Sequence, residues 1–418
     1  MYALIDAVSF YASAEKVFDP SLRKKPLVVL TNNDGCICAI CPIAKRLGIP
    51  SFSPYFEVKD FLEKHGVVIK SSNYELYADV SERMMNIISR YSDNQYIYSI
   101  DESFLAFNHY DSVIKDWHQY GHEIRQTIWK EARLPVGVGF GPTPTLAKAA
   151  NHASKKLSGF NGIAVINDEK SRLEILKRMS VTDVWGIGKR LGKRLNALGI
   201  DTAAQLAQQS AKNMRAQFSV VIERTVNELK GIPCLSWDEV KDPKEEAFST
   251  RSFGERVTDY DALMFALITH GTVVGKKIRR QGSLVKRLLV FAANSPHDEP
   301  FYKKSLIYEF PVATDSNTQI ASAISILLDE IYVLGVAFYR CGVGAITLEN
   351  KANQQADLFT PVQPNPLIMT CFDKVNQRYG KGAITLASEG QSEKWQMRRE
   401  FLSPQYTSRW SDIPKIKC

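Results

Sequence analysis

The sequence has few cysteines and no long uninterrupted apolar segment. Seven cysteines in 418 residues is an odd number, and no fourth Cys or His stands within twenty residues of the group Cys36, Cys38 and Cys41. Because a structural zinc ion needs four such ligands, we expect reduced thiols rather than a metal site. The most apolar late stretch, residues 331–348, is interrupted by Arg340. No charged and then apolar leader opens the chain, so we expect a cytoplasmic protein, neither secreted nor membrane-spanning.

Neither sign of charge is in large excess. The chain has 53 Lys and Arg against 45 Asp and Glu, and its net charge of +8 favours an anionic partner only weakly. Internal repeats and low-complexity tracts are absent as well. A length of 418 residues is enough for two to four domains with buried cores.

Three carboxylates stand beside short strand patterns. Asp6 follows an apolar strand pattern at 2–5, and the adjacent Asp101 and Glu102 lie between two further strand patterns. If these strands are neighbours in one sheet, the three side chains converge. Such oxygen ligands suit hard cations like Mg2+, and paired ions can clamp the attacking and leaving oxygens of a phosphoryl transfer. The alternative is that Asp101 and Glu102 are hairpin-turn residues and that Asp6 caps the next helix.

Strand and helix patterns alternate up to about residue 162, which predicts an α/β sheet covered by helices on one side. The strand patterns cover residues 2–5, 27–30, 67–69, 96–100, 103–107 and 136–140. The helical patterns cover 10–17, 76–90, 113–132 and 145–156. Residues 33–66 are too many for a simple loop and predict an inserted lobe.

Two basic segments suggest contact with a phosphate backbone. The run Gly186-Ile187-Gly188 precedes a basic helical segment that begins with Lys189 and Arg190. Glycines there let a backbone approach a phosphate, as in helix-hairpin-helix modules, although a plain glycine turn is the alternative. Residues 276–287 carry six positive charges and no acid, which favours DNA contact over an ordinary solvated helix face. Of these six basic residues, the predicted DNA contacts are Lys276, Lys277, Arg279 and Arg280.

Several short runs, in their order and spacing, resemble the Y-family of translesion DNA polymerases. Within it they resemble the UmuC type, which supplies the catalytic subunit of bacterial DNA polymerase V. The runs are Asp6 with Phe10-Tyr11-Ala12-Ser13, Asn32-Asn33-Asp34-Gly35-Cys36, Ser72-Asn73-Tyr74-Glu75-Leu76-Tyr77, Ser99-Ile100-Asp101-Glu102, Trp185-Gly186-Ile187-Gly188, Arg251-Ser252-Phe253-Gly254-Glu255-Arg256 and Leu402-Ser403-Pro404-Gln405-Tyr406-Thr407.

The resemblance implies a multidomain α/β, or α+β, architecture shaped like a right hand. A ferredoxin-like palm and small fingers would occupy residues 1–166, with the fingers at about 33–70. A helical thumb with a helix-hairpin-helix would follow at 167–230. A linker at 231–246, an α/β little finger at 247–350 and a partner-binding tail at 351–418 would complete the chain.

The resemblance also implies error-prone, template-directed DNA synthesis in the SOS response to DNA damage. Asp6, Asp101 and Glu102 match the family's catalytic ligands for two Mg2+ ions, and the carbonyl of Ala7 would complete one of the two metal shells.

Further positions match nucleotide contacts. Phe10 and Tyr11 match nucleotide-binding residues, and Tyr11 matches the steric gate that leaves no room for a 2′-hydroxyl, with a core aromatic as the alternative. Lys155 matches a lysine that reaches the triphosphate, with Lys156 as an adjacent alternative. In the fingers, Lys45 is the expected phosphate or base contact. Many relatives have an aromatic or Arg where this chain has Ile40 and Pro42.

The tail contains a short peptide, Gln355-Ala356-Asp357-Leu358-Phe359, that looks like the motif by which bacterial polymerases dock on the sliding clamp. Gln355 would supply hydrogen bonds, while Leu358 and Phe359 would fill an apolar pocket. The resemblance further implies a cleaved UmuD-type dimer and a RecA filament as partners.

Two other functions remain open. A nucleotidyl cyclase also holds two metals on a palm-like sheet, but it has no use for the glycine hairpin, the basic run or a clamp peptide. A non-catalytic, DNA-bound scaffold of the same family has no need for Asp6, Asp101, Glu102 and Tyr11 together. The sequence therefore predicts a DNA-directed DNA polymerase.

Overall fold

The structure, a computed structural model, describes residues 1–108, 110, 113–235, 244–354, 365–380, 382–390 and 397–413. The chain divides into two compact units. The first comprises Met1–Glu239 together with Glu400–Cys418, and the second comprises Val240–Arg399. Every helix within the described ranges is too short or too polar to cross a membrane.

The first unit opens with alternating strands and helices and continues as helices alone. In chain order its elements are β1 (Tyr2–Ala7), α1 (Phe10–Phe18), β2 (Leu27–Leu30), β3 (Ile37–Ile40), α2 (Pro42–Lys45), α3 (Tyr55–Lys64), β4 (Val68–Ser71), α4 (Tyr74–Ile88), β5 (Asn94–Ile97), β6 (Glu102–Ala106), α5 (Trp117–Ala132), β7 (Val136–Gly141), α6 (Pro144–Lys156), β8 (Ile163–Val165), α7 (Glu169–Arg178), α8 (Lys189–Ala197), α9 (Ala203–Gln208), α10 (Ala211–Gln217) and α11 (Val220–Leu229).

The main sheet of this unit has five strands in the order β5-β6-β1-β7-β8. Its central strand β1 pairs antiparallel with both β6 and β7, and β8 runs parallel to β7. Ala3 and Ile5 pack into the core that contains α4 and α5, whereas Leu4 and Phe104 pack against Ala147 of α6. Helices thus cover both faces, which corrects the prediction of helices on one side. The reason is that alternate residues of β1 are apolar on each face.

A second, smaller sheet has the strand order β3-β2-β4. In it β3 runs antiparallel and β4 parallel to the fully buried β2. The strands predicted at 27–30 and 67–69 therefore belong to this sheet and not to the main one. The inserted lobe expected from 33–66 contributes β3 to it.

Helix α6 lies unusually close to strand β7. A Cβ atom added to Gly139 would stand 2.0 Å from the backbone nitrogen of Asn151, and one added to Gly141 would stand 2.5 Å from that of Ala147. Only glycine allows the two backbones to approach this closely. This packing fixes which side chains of α6 reach the edge of β1.

The second unit contains β9 (Ala247–Val257), α12 (Tyr260–Arg280), β10 (Ser283–Ala293), β11 (Lys303–Thr314), α13 (Asn317–Ile331), β12 (Phe338–Asn350) and α14 (Pro366–Tyr379). Its sheet is antiparallel throughout, with the order β11-β10-β12-β9. Helices α12 and α13 supply the apolar side chains that pack with the sheet in one core.

Candidate active site

The three predicted carboxylates meet at one end of the main sheet. Asp6 in β1 is the direct cross-strand partner of Glu102 in β6. Asp101 lies in the turn before β6, and its carbonyl accepts a hydrogen bond from the nitrogen of Ala7 at 2.9 Å. Asp6 is not a helix cap, because the residue that precedes α1 is Ser9. Neighbouring strands thus bring together residues that are far apart in sequence.

Two lysines of α6 reach this cluster from the same helix face. Lys155 Nζ lies 2.8 Å from Asp6 Oδ2, and Lys148 Nζ lies 2.9 and 3.2 Å from the two carboxylate oxygens of Glu102. Between them, Asn151 donates hydrogen bonds to two backbone carbonyls of the sheet at 3.1 and 2.8 Å. Residues three, four and seven apart share one face of a helix, so one element positions all three side chains.

Burial dominates the electrostatics of Asp6. It raises the pKa of the carboxyl to about 6, against the lowering effect of Lys155, while repulsion from Asp101 and Glu102 adds to the rise. Three carboxylates therefore share a partly buried site with two ammonium groups, and additional positive charge would stabilise their ionised forms.

The donor set fits a hard divalent cation, because Asp6, Asp101 and Glu102 offer only oxygen ligands. As placed in the described part of the chain, the three carboxylates do not yet form a ready metal-binding group, and no other three His, Cys, Asp or Glu side chains do either. The ion pairs formed by Lys148 and Lys155 engage two of the three carboxylates. Cation binding here requires an ammonium group to give way or to share its carboxylate.

Tyr11 lies at the start of α1 within a group of aromatic rings. Its ring stacks on Tyr77 with 4.6 Å between centres and 17° between planes, and the Tyr74 ring lies edge-on with 6.1 Å between centres. Burial raises the pKa of Tyr11 to about 12, with further contributions from Tyr74, Cys38 and Asp101. The phenol therefore stays neutral beside the carboxylates. Phe10 is only 3% exposed and its side chain packs in the core, so its predicted contact with a nucleotide stays a prediction that this burial does not support.

The fingers positions differ in their exposure. Lys45 is exposed at the end of α2, and Pro42 is exposed at the start of that helix. Ile40 is 3% exposed and packs in the core as part of β3. Of these positions, Lys45 and Pro42 are accessible to a ligand.

Lys148 was missed by the sequence analysis, and aromatic side chains hold it in place. Its Nζ atom lies 4.5 Å from the ring centre of Tyr98 and 5.0 Å from that of Trp185. Trp185 also stacks on Phe104 at 5.8 Å. The signal that could have found Lys148 is its spacing of seven residues from Lys155 on α6, which places both lysines on one face.

The glycine hairpin follows Trp185 directly. Gly186 has a φ of +84°, and Gly188 immediately precedes α8. No atom lies within 4 Å of a Cβ added to either glycine, so both face open space. Lys189 and Arg190 are exposed. The hairpin thus presents accessible backbone beside positive charge.

The basic run of the second unit is not uniform. Lys277 and Arg280 are exposed at the end of α12, and Lys276 is half-buried. The side chain of Arg279 is 9% exposed and forms an ion pair with Asp373 at 2.7 Å. The guanidinium of Arg279 is therefore engaged within the unit, and this arrangement gives no support to its predicted contact with DNA, which stays a prediction. The predicted clamp residues Gln355, Leu358 and Phe359 lie outside the described residues.

Comparison with solved structures identifies the fold. A Y-family DNA polymerase chimera matches with a TM-score of 0.61 at 19% identity, over 82% of this chain and 98% of that one. An insertion ternary complex of Dbh DNA polymerase matches with a TM-score of 0.52 at 20% identity, over 84% and 98% of the two chains. The fold is that of the Y-family DNA polymerases.

Sequence comparison identifies the family. Residues 5–152 match the impB/mucB/samB family, 245–358 its C-terminal domain, 169–200 the HHH motif of the IMS family, and 367–416 a domain of unknown function. UmuC of Salmonella typhimurium is 40% identical over the whole of both chains, and SamB of the same organism is 39% identical over the same extent. MucB of Escherichia coli is 34% identical over 99% of each chain. The chain belongs to the impB/mucB/samB family, and its fold is that of the Y-family DNA polymerases.

Proposed function

We propose that this chain is a translesion DNA polymerase that joins a dNTP to a primer 3′-hydroxyl with two Mg2+ ions held by Asp6, Asp101, Glu102 and the carbonyl of Ala7. The observation that carries the proposal is the cross-strand pairing of Asp6 with Glu102, beside Asp101 in the adjoining turn. When bound, the ions supply positive charge to the attacking oxygen, the α-phosphate and the departing pyrophosphate. The protein's part is to hold its oxygen ligands at fixed positions on a rigid sheet.

Of the two lysines of α6 at the carboxylate cluster, Lys155 would bind the triphosphate. Lys155 is a compact charge on a flexible stem, and it now neutralises Asp6. With a cation bound at Asp6, Lys155 would be free to reach a phosphate oxygen of the nucleotide. Lys148 would stay on Glu102, since Tyr98 and Trp185 enclose it. Lys45 is proposed as the contact from the fingers, on the basis of its exposure.

Tyr11 would act as the steric gate. Its ring is fixed by stacking on Tyr77 and remains close enough to the carboxylate cluster for Asp101 to influence its pKa. A ring held in this way excludes a 2′-hydroxyl by volume and not by hydrogen bonding.

DNA would be held by the two exposed basic surfaces. Gly186 and Gly188 would let backbone amides approach a phosphate, with Lys189 and Arg190 beside them. In the second unit, Lys276, Lys277 and Arg280 remain proposed phosphate contacts. Neutralising phosphates with such side chains gives affinity without sequence preference, which suits a polymerase.

Partners follow from the family and the tail peptide. We propose that Gln355, Leu358 and Phe359 dock on a sliding clamp and that a UmuD-type cleaved dimer and a RecA filament assist synthesis. The likeness to UmuC supports the UmuD-type dimer. A DNA substrate makes the cytoplasm the proposed site of action.

Primer extension tests this function. A labelled primer on an abasic-site template is incubated with Mg2+, dNTPs, the full-length chain and the proposed partners. We expect the wild type and an Asp79→Asn control at an exposed position to extend past the lesion, and Asp101→Ala to fail. Extension by Asp101→Ala at the wild-type rate would instead refute the assigned metal ligand. If the wild type and Asp101→Ala bind DNA equally and neither extends the primer, the protein is a scaffold.

A further inference from the structure

Residues 400–413, the part of the last described segment that belongs to the first unit, form what we call the C-terminal strap. Ser71 N donates to the carbonyl of Phe401 at 3.1 Å, and Phe401 N donates to Ser71 Oγ at 2.9 Å. Tyr406 stacks on Phe18, with 5.1 Å between ring centres. The strap thus contacts both the end of β4 and the end of α1. It lies within the matched domain of unknown function.

A chain of buried hydrogen bonds leads from the strap to the ring that supports Tyr11. Ser403 Oγ donates to Glu15 Oε1 at 2.9 Å, and the Tyr77 hydroxyl donates to the same oxygen at 2.7 Å. Asn73 Nδ2 donates to Ser403 Oγ and to the Ser403 carbonyl, both at 3.0 Å. These four residues are at most 3% exposed. Each polar group therefore depends on its protein partners and not on bulk water.

This chain of hydrogen bonds joins the two helices that form the surroundings of Tyr11. Glu15 lies one turn after Tyr11 on α1, and Tyr77 belongs to α4. Asn73 caps α4 by accepting a hydrogen bond from Leu76 N at 3.3 Å. One strap residue thus bonds to a side chain of α1 and to the cap of α4.

A lost partner in such a network has consequences beyond the bond itself. A buried donor or acceptor without a partner is costly, so its neighbours rearrange to satisfy it. Close-packed side chains transmit such a shift, and the ring of Tyr77 lies directly against Tyr11. A movement at Ser403 would therefore reach Tyr11 through Glu15 and Tyr77.

We propose that Ser403 positions Tyr11 through Glu15 and Tyr77, so that the C-terminal strap sets how strictly the active site excludes ribonucleotides. The inference rests on the proposed role of Tyr11 as steric gate. Ser403 is a positioning residue, because it contacts the support of Tyr11 and not the nucleotide. The strap is then part of the polymerase's specificity and not solely a site for partners.

The test measures nucleotide binding, so it does not depend on catalysis. The full-length chain is assembled on a primer-template that ends in a dideoxynucleotide opposite a template thymine, and the Kd is measured for dATP and for ATP with Mg2+ present. The ratio of the two constants is the discrimination. The variants are Tyr11→Ala, Ser403→Ala and Tyr77→Phe, with Ser408→Ala at an exposed strap position as the matched control.

We expect Ser403→Ala and Tyr77→Phe each to lower the discrimination about 2- to 10-fold, because each variant loses one hydrogen bond to Glu15 Oε1. Both should change dATP binding less than ATP binding, and Ser408→Ala should match the wild type. If Tyr11→Ala lowers the discrimination while Ser403→Ala and Tyr77→Phe leave it unchanged, the strap inference is overturned and the gate stands. If Tyr11→Ala itself leaves the discrimination unchanged, the steric-gate role of Tyr11 and the strap inference are both wrong. Should Ser403→Ala not fold, Tyr77→Phe decides alone, since it keeps the stacked ring.

Discussion

Trp185 donates a hydrogen bond from Nε1 to the hydroxyl of Tyr98 at 3.3 Å. This bond joins the residue just before the glycine hairpin to the turn that carries Asp101. Lys148 lies against both rings and is bound to Glu102. The proposed DNA-binding hairpin and a proposed metal ligand thus share one group of side chains.

Two substitutions of Trp185 separate its hydrogen bond to Tyr98 from the packing of its ring on Phe104. Trp185→Phe keeps a ring against Phe104 but loses the hydrogen bond to Tyr98, whereas Trp185→Ala loses both. We expect Trp185→Phe to cost about 1 kcal/mol of stability, from one hydrogen bond. Trp185→Ala should cost about 3 kcal/mol, near the lower end for aromatic truncation because the ring is half-buried. Scanning calorimetry checks this, and equal melting temperatures for the two variants would contradict it.

The adjacent lysines of α6 give a paired test of triphosphate binding. Lys155 is bound to Asp6, while the exposed Lys156 lies 3.6 Å from Asp183. We expect Lys155→Ala to lower kcat/KM for dNTP about 10- to 100-fold, because hydrogen bonds to charged groups are strong. Lys156→Ala is the control and should stay within about twofold of the wild type. Steady-state incorporation of a single nucleotide checks both variants. The opposite ranking would favour Lys156 as the contact.

Gly188 offers a substitution that changes DNA binding without disturbing the fold. Its φ of −79° suits any residue, and an added Cβ meets no atom within 4 Å. We expect Gly188→Ala to change stability by less than about 0.5 kcal/mol. It should weaken primer-template binding about 3- to 10-fold, since the methyl group separates the helix N-terminus from the phosphate.

The salt dependence of primer-template binding distinguishes the effect of Gly188→Ala from that of Lys189→Ala. Gly188→Ala should leave the slope of log Kd against log salt unchanged, whereas Lys189→Ala should reduce it by about 1. Fluorescence anisotropy titrations at several salt concentrations measure both. Wild-type affinity in both variants would place the DNA elsewhere.

Glu15 should make stability depend on pH. Burial raises the pKa of this carboxyl above its ordinary value of 4.5, against lowering by Tyr77, Ser403 and Lys70. The folded chain therefore binds this proton more tightly than the unfolded chain, so the wild type loses stability as the pH rises through 4.5 towards the folded pKa. Glu15→Gln keeps an acceptor oxygen for both hydroxyls and removes the titration.

We therefore expect the melting temperature of Glu15→Gln, minus that of the wild type, to increase between pH 4 and pH 7. Differential scanning fluorimetry across that range measures it. Glu63→Gln, at an exposed position of α3, serves as the control and should show no such trend. A constant or shrinking difference for Glu15→Gln would contradict the assignment.

The convergence of Asp6 with Asp101 and Glu102 could be predicted, because short strand patterns stand beside all three. The sheet to which β2 belongs could not be predicted, because the sequence pattern of a fully apolar strand is the same in either sheet. The ion pair of Arg279 with Asp373 spans 94 residues, and the contact of Ser403 with Glu15 spans 388. Local patterns of charge and hydropathy carry no information about partners at such separations.

The central claim is that Asp6, Asp101 and Glu102 hold two divalent cations in the assembled polymerase. Electron paramagnetic resonance with Mn2+ in place of Mg2+ counts the bound ions directly, on the full-length chain with a dideoxy-ended primer-template and a dNTP. We expect two Mn2+ ions per complex for the wild type and for Asp79→Asn, and fewer for Asp101→Asn. An unchanged count of two for Asp101→Asn would contradict the account.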